Sequence, residues 1–241
     1  MDKYYLFYIL ALIAEILGTI SGFGSSILFV PLAALFFDFK TVLGITAVFH
    51  VFSNLSKIYL FRQGLDKNIA WQLGIPAVVA VIIGALLTEL IPQQQLEVMM
   101  CILLIALSLY LLVFAEKKLA PSSANLISGG LASGFLAGLV GSGGAIRGLT
   151  LTAFQLEKNI FLATSAMIDL GVDASRTVVY YANGYMNKDL FFLIPFLLGI
   201  SIVGSWIGKK ILAHIPQKQF RWLVLGVVLV TAAIQLVKIL W

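Results

Sequence analysis

Gly22-Phe23-Gly24-Ser25-Ser26 interrupts an apolar run from Tyr4 to Phe37, and Gly141-Ser142-Gly143-Gly144-Ala145 interrupts a second from Asn125 to Phe154. Each run is longer than the roughly 20 residues that cross a hydrocarbon core as one upright helix. Glycine loses the most backbone freedom on ordering and weakens a helix, so each cluster predicts a break between two helical pieces. The two clusters lie 119 residues apart in the numbering, which raises the question of an internal repeat.

Sliding the sequence on itself by that offset places Thr46-Ala47 on Ser165-Ala166, Ser56-Lys57 on Ser175-Arg176, Asn68 on Asn187 and Pro76 on Pro195. After a short insertion, Ile91-Pro-Gln93 and Gln95 fall on Ile215-Pro-Gln217 and Gln219. Apolar residues match by chance in such a chain; paired glycines, prolines and an Ile-Pro-Gln triplet do not. The sequence therefore reads as a duplication, with a first membrane repeat over residues 1–114, a linker over 115–124 and a second repeat over 125–241. Four apolar segments fall in each half. The first half has Tyr4 to Phe37, Thr41 to Phe61, Ile69 to Leu90 and Leu96 to Phe114; the second has Asn125 to Phe154, Ile160 to Tyr181, Leu190 to Leu212 and Trp222 to Trp241.

Composition agrees. Of 241 residues, 61% are hydrophobic and 11% charged, with a mean hydropathy of +1.02. Ordinary globular chains carry about 25% charged residues. An all-α, polytopic integral membrane protein is expected, with the lipid bilayer as its surroundings, and a disordered chain or a disulfide scaffold is excluded. The net charge of +5 does not call for a nucleic acid, because basic residues collect at the cytoplasmic ends of spans. Cys101 is the sole cysteine and His50 and His214 the only histidines, so neither a disulfide, a metal centre nor a cofactor is expected. The opening Met1-Asp-Lys3 resembles a signal peptide, but Glu15 interrupts the apolar stretch, and it reads as a retained membrane segment.

Orientation depends on what the broken segments do. If every segment crosses, the repeats are parallel and the basic residues split seven against six, which decides nothing. If each broken segment returns as a hairpin, each repeat crosses three times and the halves are inverted. The split then becomes nine (Arg62, Lys67, Lys117, Lys118, Lys158, Lys209, Lys210, Lys218, Arg221) against four (Lys3, Lys40, Lys188, Lys238), a bias of the kind the positive-inside rule describes. We expect inverted repeats with both termini outside and the linker in the cytoplasm. A half-helix such as Ile27 to Phe37 is about 16 Å long and reaches the midplane of the core.

A helix that begins near the midplane presents free N–H groups and the positive end of its dipole, a ready anion site. Ser25, Ser26 and Ile27 open one such half-helix and Gly144, Ala145 and Ile146 the other. Gly22, Gly24, Gly141 and Gly143 let backbone approach a ligand, and Ser25, Ser26 and Ser142 supply hydroxyls. Close helix packing of small residues is the competing account of these glycines. Arg147 follows the second cluster, where Leu28 stands in the first. An intramembrane guanidinium needs a cavity or a partner; a bound oxyanion answers this need, as does an ion pair with Glu15, Asp169 or Asp173.

A polar stripe occupies the segment after each break. Thr46, His50, Asn54 and Lys57 share one helical face, and Ser165, Asp169, Asp173 and Arg176 repeat the spacing. Facing stripes of this kind line a pathway. His50 and Asp169 occupy equivalent positions and both exchange protons, which makes them candidates for proton coupling; a structural cluster with Asp173 on Arg176 is the alternative. Lys57 and Arg176 lie near segment ends, where snorkelling to the interface is the alternative to a place in the stripe.

Gly22-Phe-Gly-Ser-Ser-Ile-Leu-Phe-Val-Pro31-Leu32 and Gly141-Ser-Gly-Gly-Ala-Ile-Arg-Gly-Leu-Thr150 resemble the paired glycine-rich signatures of the TauE/SafE-type sulfite exporter family of membrane permeases. The four-plus-four segment pattern and the chain length also fit, and the resemblance covers essentially the whole chain. It implies a secondary transporter, not an enzyme, that exports a small sulfur-containing anion such as sulfite, thiosulfate or an organosulfonate across the cytoplasmic membrane. The sequence departs from the usual glycine run at Phe23, Ser25 and Ser26, and Thr150 stands where proline is common; these departures bear on which anion is carried. A passive anion channel shares these features without coupling. A membrane-embedded enzyme would have to use Ser25 or Ser142 with His50, and no motif accompanies them.

Overall fold

The structure, a computed structural model, describes residues 2–62, 64–113, 121–186 and 190–212, with isolated positions between 226 and 239. Among the described residues the regular elements are helices: α1 (Asp2–Ser21), α2 (Ser26–Ala33), α3 (Phe39–Leu60), α4 (Lys67–Leu87), α5 (Gln93–Val113), α6 (Ser123–Val140), α7 (Gly144–Thr152), α8 (Lys158–Ala182) and α9 (Leu193–Leu212). Six of them, α1, α3, α4, α5, α6 and α9, are long and apolar enough to cross a membrane. The 25-residue α8 is as long but carries Asp169, Asp173 and Arg176. Large apolar side chains face outward, among them Tyr5, Trp71, Ile75, Val79 and Val178, as lipid-facing surfaces require. Most of the Trp222–Trp241 segment and most of the linker lie outside the described residues.

Several helix starts follow from capping side chains. The Asp38 carboxylate accepts from Thr41 N–H at 3.0 Å, that of Asp66 from Ile69 N–H at 3.0 Å, and Ser122 Oγ from Asn125 N–H at 3.2 Å. Each cap meets one of the donors that a first turn leaves without an intrahelical partner.

Both glycine clusters break their helices and reverse the chain. Gly22 and Gly24 adopt φ of +72° and +82°, and Gly141, at φ +78°, closes α6 in the left-handed conformation. Beyond the first break α2 runs back along α1: Ser25 lies against Gly18, the Phe29 ring is 5.9 Å from that of Phe7, and Phe37 stacks edge-on to Phe7 at 5.1 Å. In the second hairpin Thr150 returns against Gly129. The first legs, α1 and α6, are span-length, whereas α2 and α7 have 8 and 9 residues and are the half-helices. After Ala33 the expected Ile27–Phe37 helix tightens into turns, with Leu35 N–H on Leu32 C=O and Phe36 N–H on Ala33 C=O. The two breaks meet: Gly144 touches the Phe23 carbonyl, and a Cβ on Gly24 would lie 3.5 Å from an Arg147 Nη atom.

Three helix pairs organise the rest. Helices α1 and α9 run the same way, with Tyr4 beside Phe192, Tyr8 beside Phe196, Glu15 beside Gly204 and Thr19 beside Gly208. Helices α4 and α6 do likewise, with Leu73 beside Gly130, Ala77 beside Gly134 and Val81 beside Gly138. That last set is a small-residue seam, and a Cβ at Gly134 would overlap the Ala77 backbone. Helices α3 and α8 run in opposite directions, with Gly44 at Tyr185, Asn54 at Asp173 and Gly64 at Ile160.

Candidate functional site

Where the breaks meet α3 and α8, a small polar cavity remains, about 20 Å³, room for about one water. Gly24, Ser25, Ser26, Gly141, Gly143, Gly144 and Arg147 line it from the hairpins. His50, Asn54, Asp169 and Asp173 line it from the two stripes. Gly22 lies outside it, against the ring of Phe161, and Ser142 is buried beyond it. Thr46 is also outside, its hydroxyl buried with no hydrogen-bond partner among the described residues, while Ser165 reaches the site through Arg147.

Three ion pairs fill the centre. The Arg147 guanidinium meets the Asp169 carboxylate and donates through Nε to Ser165 Oγ at 2.9 Å. Arg176 donates through Nε to Asp173 at 2.8 Å and through Nη1 to the Ala137 and Gly141 carbonyls at 2.9 and 3.0 Å, so it also closes the C-terminal end of α6. Lys57 sits 3.0 Å from Glu15. Asn54 donates to the other oxygen of Asp173 at 2.6 Å.

Glu15 is fully buried and is the acceptor for three helices. It takes hydrogen bonds from Ser25 at 2.7 Å, Ser53 at 2.7 Å and Ser205 at 2.8 Å besides the Lys57 ammonium. Since the Ser25 hydroxyl proton goes to Glu15, Ser25 Oγ is the acceptor for His50 Nε2 at 3.0 Å. His50 Nδ1 then faces the Arg176 Nη2 donor at 3.3 Å. These neighbours assign the neutral Nε2–H tautomer to His50.

The alternative that Lys57 and Arg176 snorkel is not the arrangement present. Both are buried, at 6% and 1% exposure, because each finds a carboxylate inside the bundle and has no need of the surface. Their place at the end of each stripe, at equivalent positions of the offset, was the signal that assigns them to it. Sequence reasoning also left Ser53 aside and gave Glu15 only an alternative role. The ion-pair account of Arg147 is the arrangement present, with Asp169 as the partner.

A multi-pass helical bundle with broken helices converging on a buried, charged, lipid-shielded cavity defines a membrane transporter. The family model for the sulfite exporter TauE/SafE matches residues 7–234, and the chain belongs to that family. It is 29% identical, over 90% of its own length and 89% of the relative's, to a protein of Methanocaldococcus jannaschii described as a "probable membrane transporter protein". No solved structure matches the chain.

Proposed function

We propose that the protein is a secondary exporter of a small sulfur oxyanion, built as an inverted duplication, in which the anion binds Arg147 by displacing Asp169 and enters together with a proton. The observation that carries this is the balance of the buried centre. Lys57, Arg147 and Arg176 face Glu15, Asp169 and Asp173, with His50 neutral between them. A monoanion arriving alone would leave one uncompensated buried charge, which is strongly unfavourable. A proton taken up with it restores neutrality.

Asp169 is the group suited to take that proton. Its side chain is 15% exposed, against 0% for Glu15 and 6% for Asp173, and among the described residues its ion-pair partner is Arg147. Glu15 and Asp173 are tied into several hydrogen bonds each. Arg147 stands in the first turn of α7, so an oxyanion on it also meets first-turn N–H groups and the positive end of that helix. The planar fork of the guanidinium suits a trigonal or tetrahedral oxyanion.

The helix pairs support the inverted reading. Under the offset, α1 corresponds to α6, α3 to α8 and α4 to α9, so the pairs α1 with α9 and α6 with α4 exchange. The α3 and α8 pair maps onto itself in opposite directions, as an axis lying in the membrane plane requires. Asn54 and Asp173, equivalent by the offset, hydrogen-bond to each other. Arg62, Lys67, Lys158, Lys209 and Lys210 lie at the Gly22 end of the bundle, which the positive-inside rule makes cytoplasmic.

The test is anion affinity of folded, monodisperse protein toward sulfite, thiosulfate and an alkanesulfonate. Charge-assisted hydrogen bonds are worth roughly 1.5–3 kcal/mol each, so Arg147→Ala is expected to weaken binding by about one to two orders of magnitude. Arg147→Lys should recover only part of this. Unchanged affinity in Arg147→Ala would return Arg147 to a purely structural ion pair.

A further inference from the structure

The two ends of the bundle are not alike. Beside the first break a vestibule of about 200 Å³ has Ser21, Gly22, Gln155, Lys158 and Phe161 in its lining, among aliphatic side chains such as Leu156. It has room for several waters and an exposed cation at its rim. Its floor is the Gly22–Gly24 turn: Gly22 lines the vestibule and Gly24 the central cavity, two residues apart. The Phe161 ring rests on Gly22, within 2.8 Å of where a Cβ would be.

The offset carries Gln155, Lys158, Phe161 and Leu162 onto Phe36, Phe39, Val42 and Leu43 at the other break. Phe39, Val42 and Leu43 are fully buried, and Leu43 and Val30 press on Gly141 as Phe161 presses on Gly22. Thr88 and Tyr185, hydrogen-bonded at 2.9 Å, close over that end, where Lys40 stacks on the Tyr185 ring. Gln155 and Lys158 at one end thus answer to Phe36 and Phe39 at the other.

We infer that the vestibule is the cytoplasmic mouth of the substrate path and that Phe161, seated on Gly22, is the inner gate between it and the Arg147 site, in a conformer sealed at the outer end by Phe39, Val42 and Leu43. This rests on the proposed transport reading for what passes the gate and for which end is cytoplasmic, but not for the gate's place in the fold. Opening requires that the Phe161 ring leave the glycine turn and that the turn, held by Phe23 against Gly144 and Gly148, shift with it. Gly22 has no side chain to obstruct that movement, and the turn is already in a conformation other residues avoid. Lys158 draws anions to the mouth, where exposed charge acts on encounter more than on affinity.

The experiment is thiol labelling in a Cys101→Ala background with a membrane-impermeant methanethiosulfonate that carries a sulfonate, applied to inside-out and right-side-out vesicles. Ser21→Cys reports the vestibule and Ser26→Cys the central cavity. Ser21→Cys is expected to react from the cytoplasmic face alone, and Ser26→Cys to stay protected. Adding Phe161→Ala should speed Ser26→Cys labelling from the cytoplasmic face at least tenfold, Phe161→Leu should do so less, and Leu43→Ala should not. Labelling of Ser21→Cys from the outer face would overturn the inference. So would continued protection of Ser26→Cys in both Phe161 variants, or an equal gain in Leu43→Ala. The readout needs no substrate, so a failed anion assay and a failed gate are distinguishable.

Discussion

Asp169→Asn separates an anion that competes for Arg147 from one that merely binds near it. Asparagine keeps the size and an acceptor oxygen but removes the charge that holds the guanidinium. Arg147 then loses its carboxylate partner while keeping Ser165 at 2.9 Å. If the anion must displace Asp169, the variant is freed of roughly one charge-assisted contact, about 1.5–3 kcal/mol. Affinity should rise by about tenfold to a hundredfold. The pH dependence should change as well. Proton uptake on binding means that wild-type affinity strengthens as pH falls, by up to about one decade per unit, because the bound state holds the extra proton. In Asp169→Asn the slope should flatten. Calorimetry with an alkanesulfonate, a monoanion that keeps its charge near neutrality, in two buffers of different ionisation heat, reads affinity and protons taken up together. Other charges facing the site are Lys57, Arg176, Asp173 and Glu15, and all remain in the variant. Affinity no greater than wild type, or wild-type proton uptake in the variant, would refute the displacement mechanism.

Two further outcomes concern stability. Glu15→Ala leaves the Lys57 ammonium and the Ser53 and Ser205 hydroxyls without their shared acceptor, and breaking a buried pair from one side costs about 3–5 kcal/mol. A steep drop in Tm in detergent is expected, with partial recovery in Glu15→Ala/Lys57→Met; an equal Tm in both variants would contradict it. Gly134→Val should separate α4 from α6 and yield poorly folded protein by size exclusion, since even a Cβ there overlaps Ala77. Gly199→Val, where no described residue lies within 4 Å of the added Cβ, should be harmless by the same measure.

The polar stripes were legible because they repeat. His50, Asn54 and Lys57 recur as Asp169, Asp173 and Arg176 at one spacing, and both sets came together at the cavity. Their roles were less legible. Ser25 reads as a donor for substrate until Glu15, ten residues earlier on the other leg of the hairpin, is seen to take its proton. His50 reads as a free titrating group until Arg176 is found at its second nitrogen. Glu15 itself is a lone acidic residue in an apolar run, and the hydroxyls that donate to it come from Ser25 just before α2, from α3 and from α9.

What the sequence determined by itself was the membrane setting, the helical spans, the two breaks and the offset between them. Those features are local: hydrocarbon demands apolar helices with satisfied backbones, and glycine breaks a helix wherever it clusters. What only the tertiary structure decided was which charge faces which, how little room the centre leaves, and which of the two breaks is packed over by apolar side chains. A buried cation accepts any carboxylate that can reach it, and reach is set by helix direction and packing. Arg147 therefore took Asp169 rather than Glu15 or Asp173 because α7 and α8 bring the two together, while Glu15 lies with α3 and α9 and Asp173 is already held by Arg176.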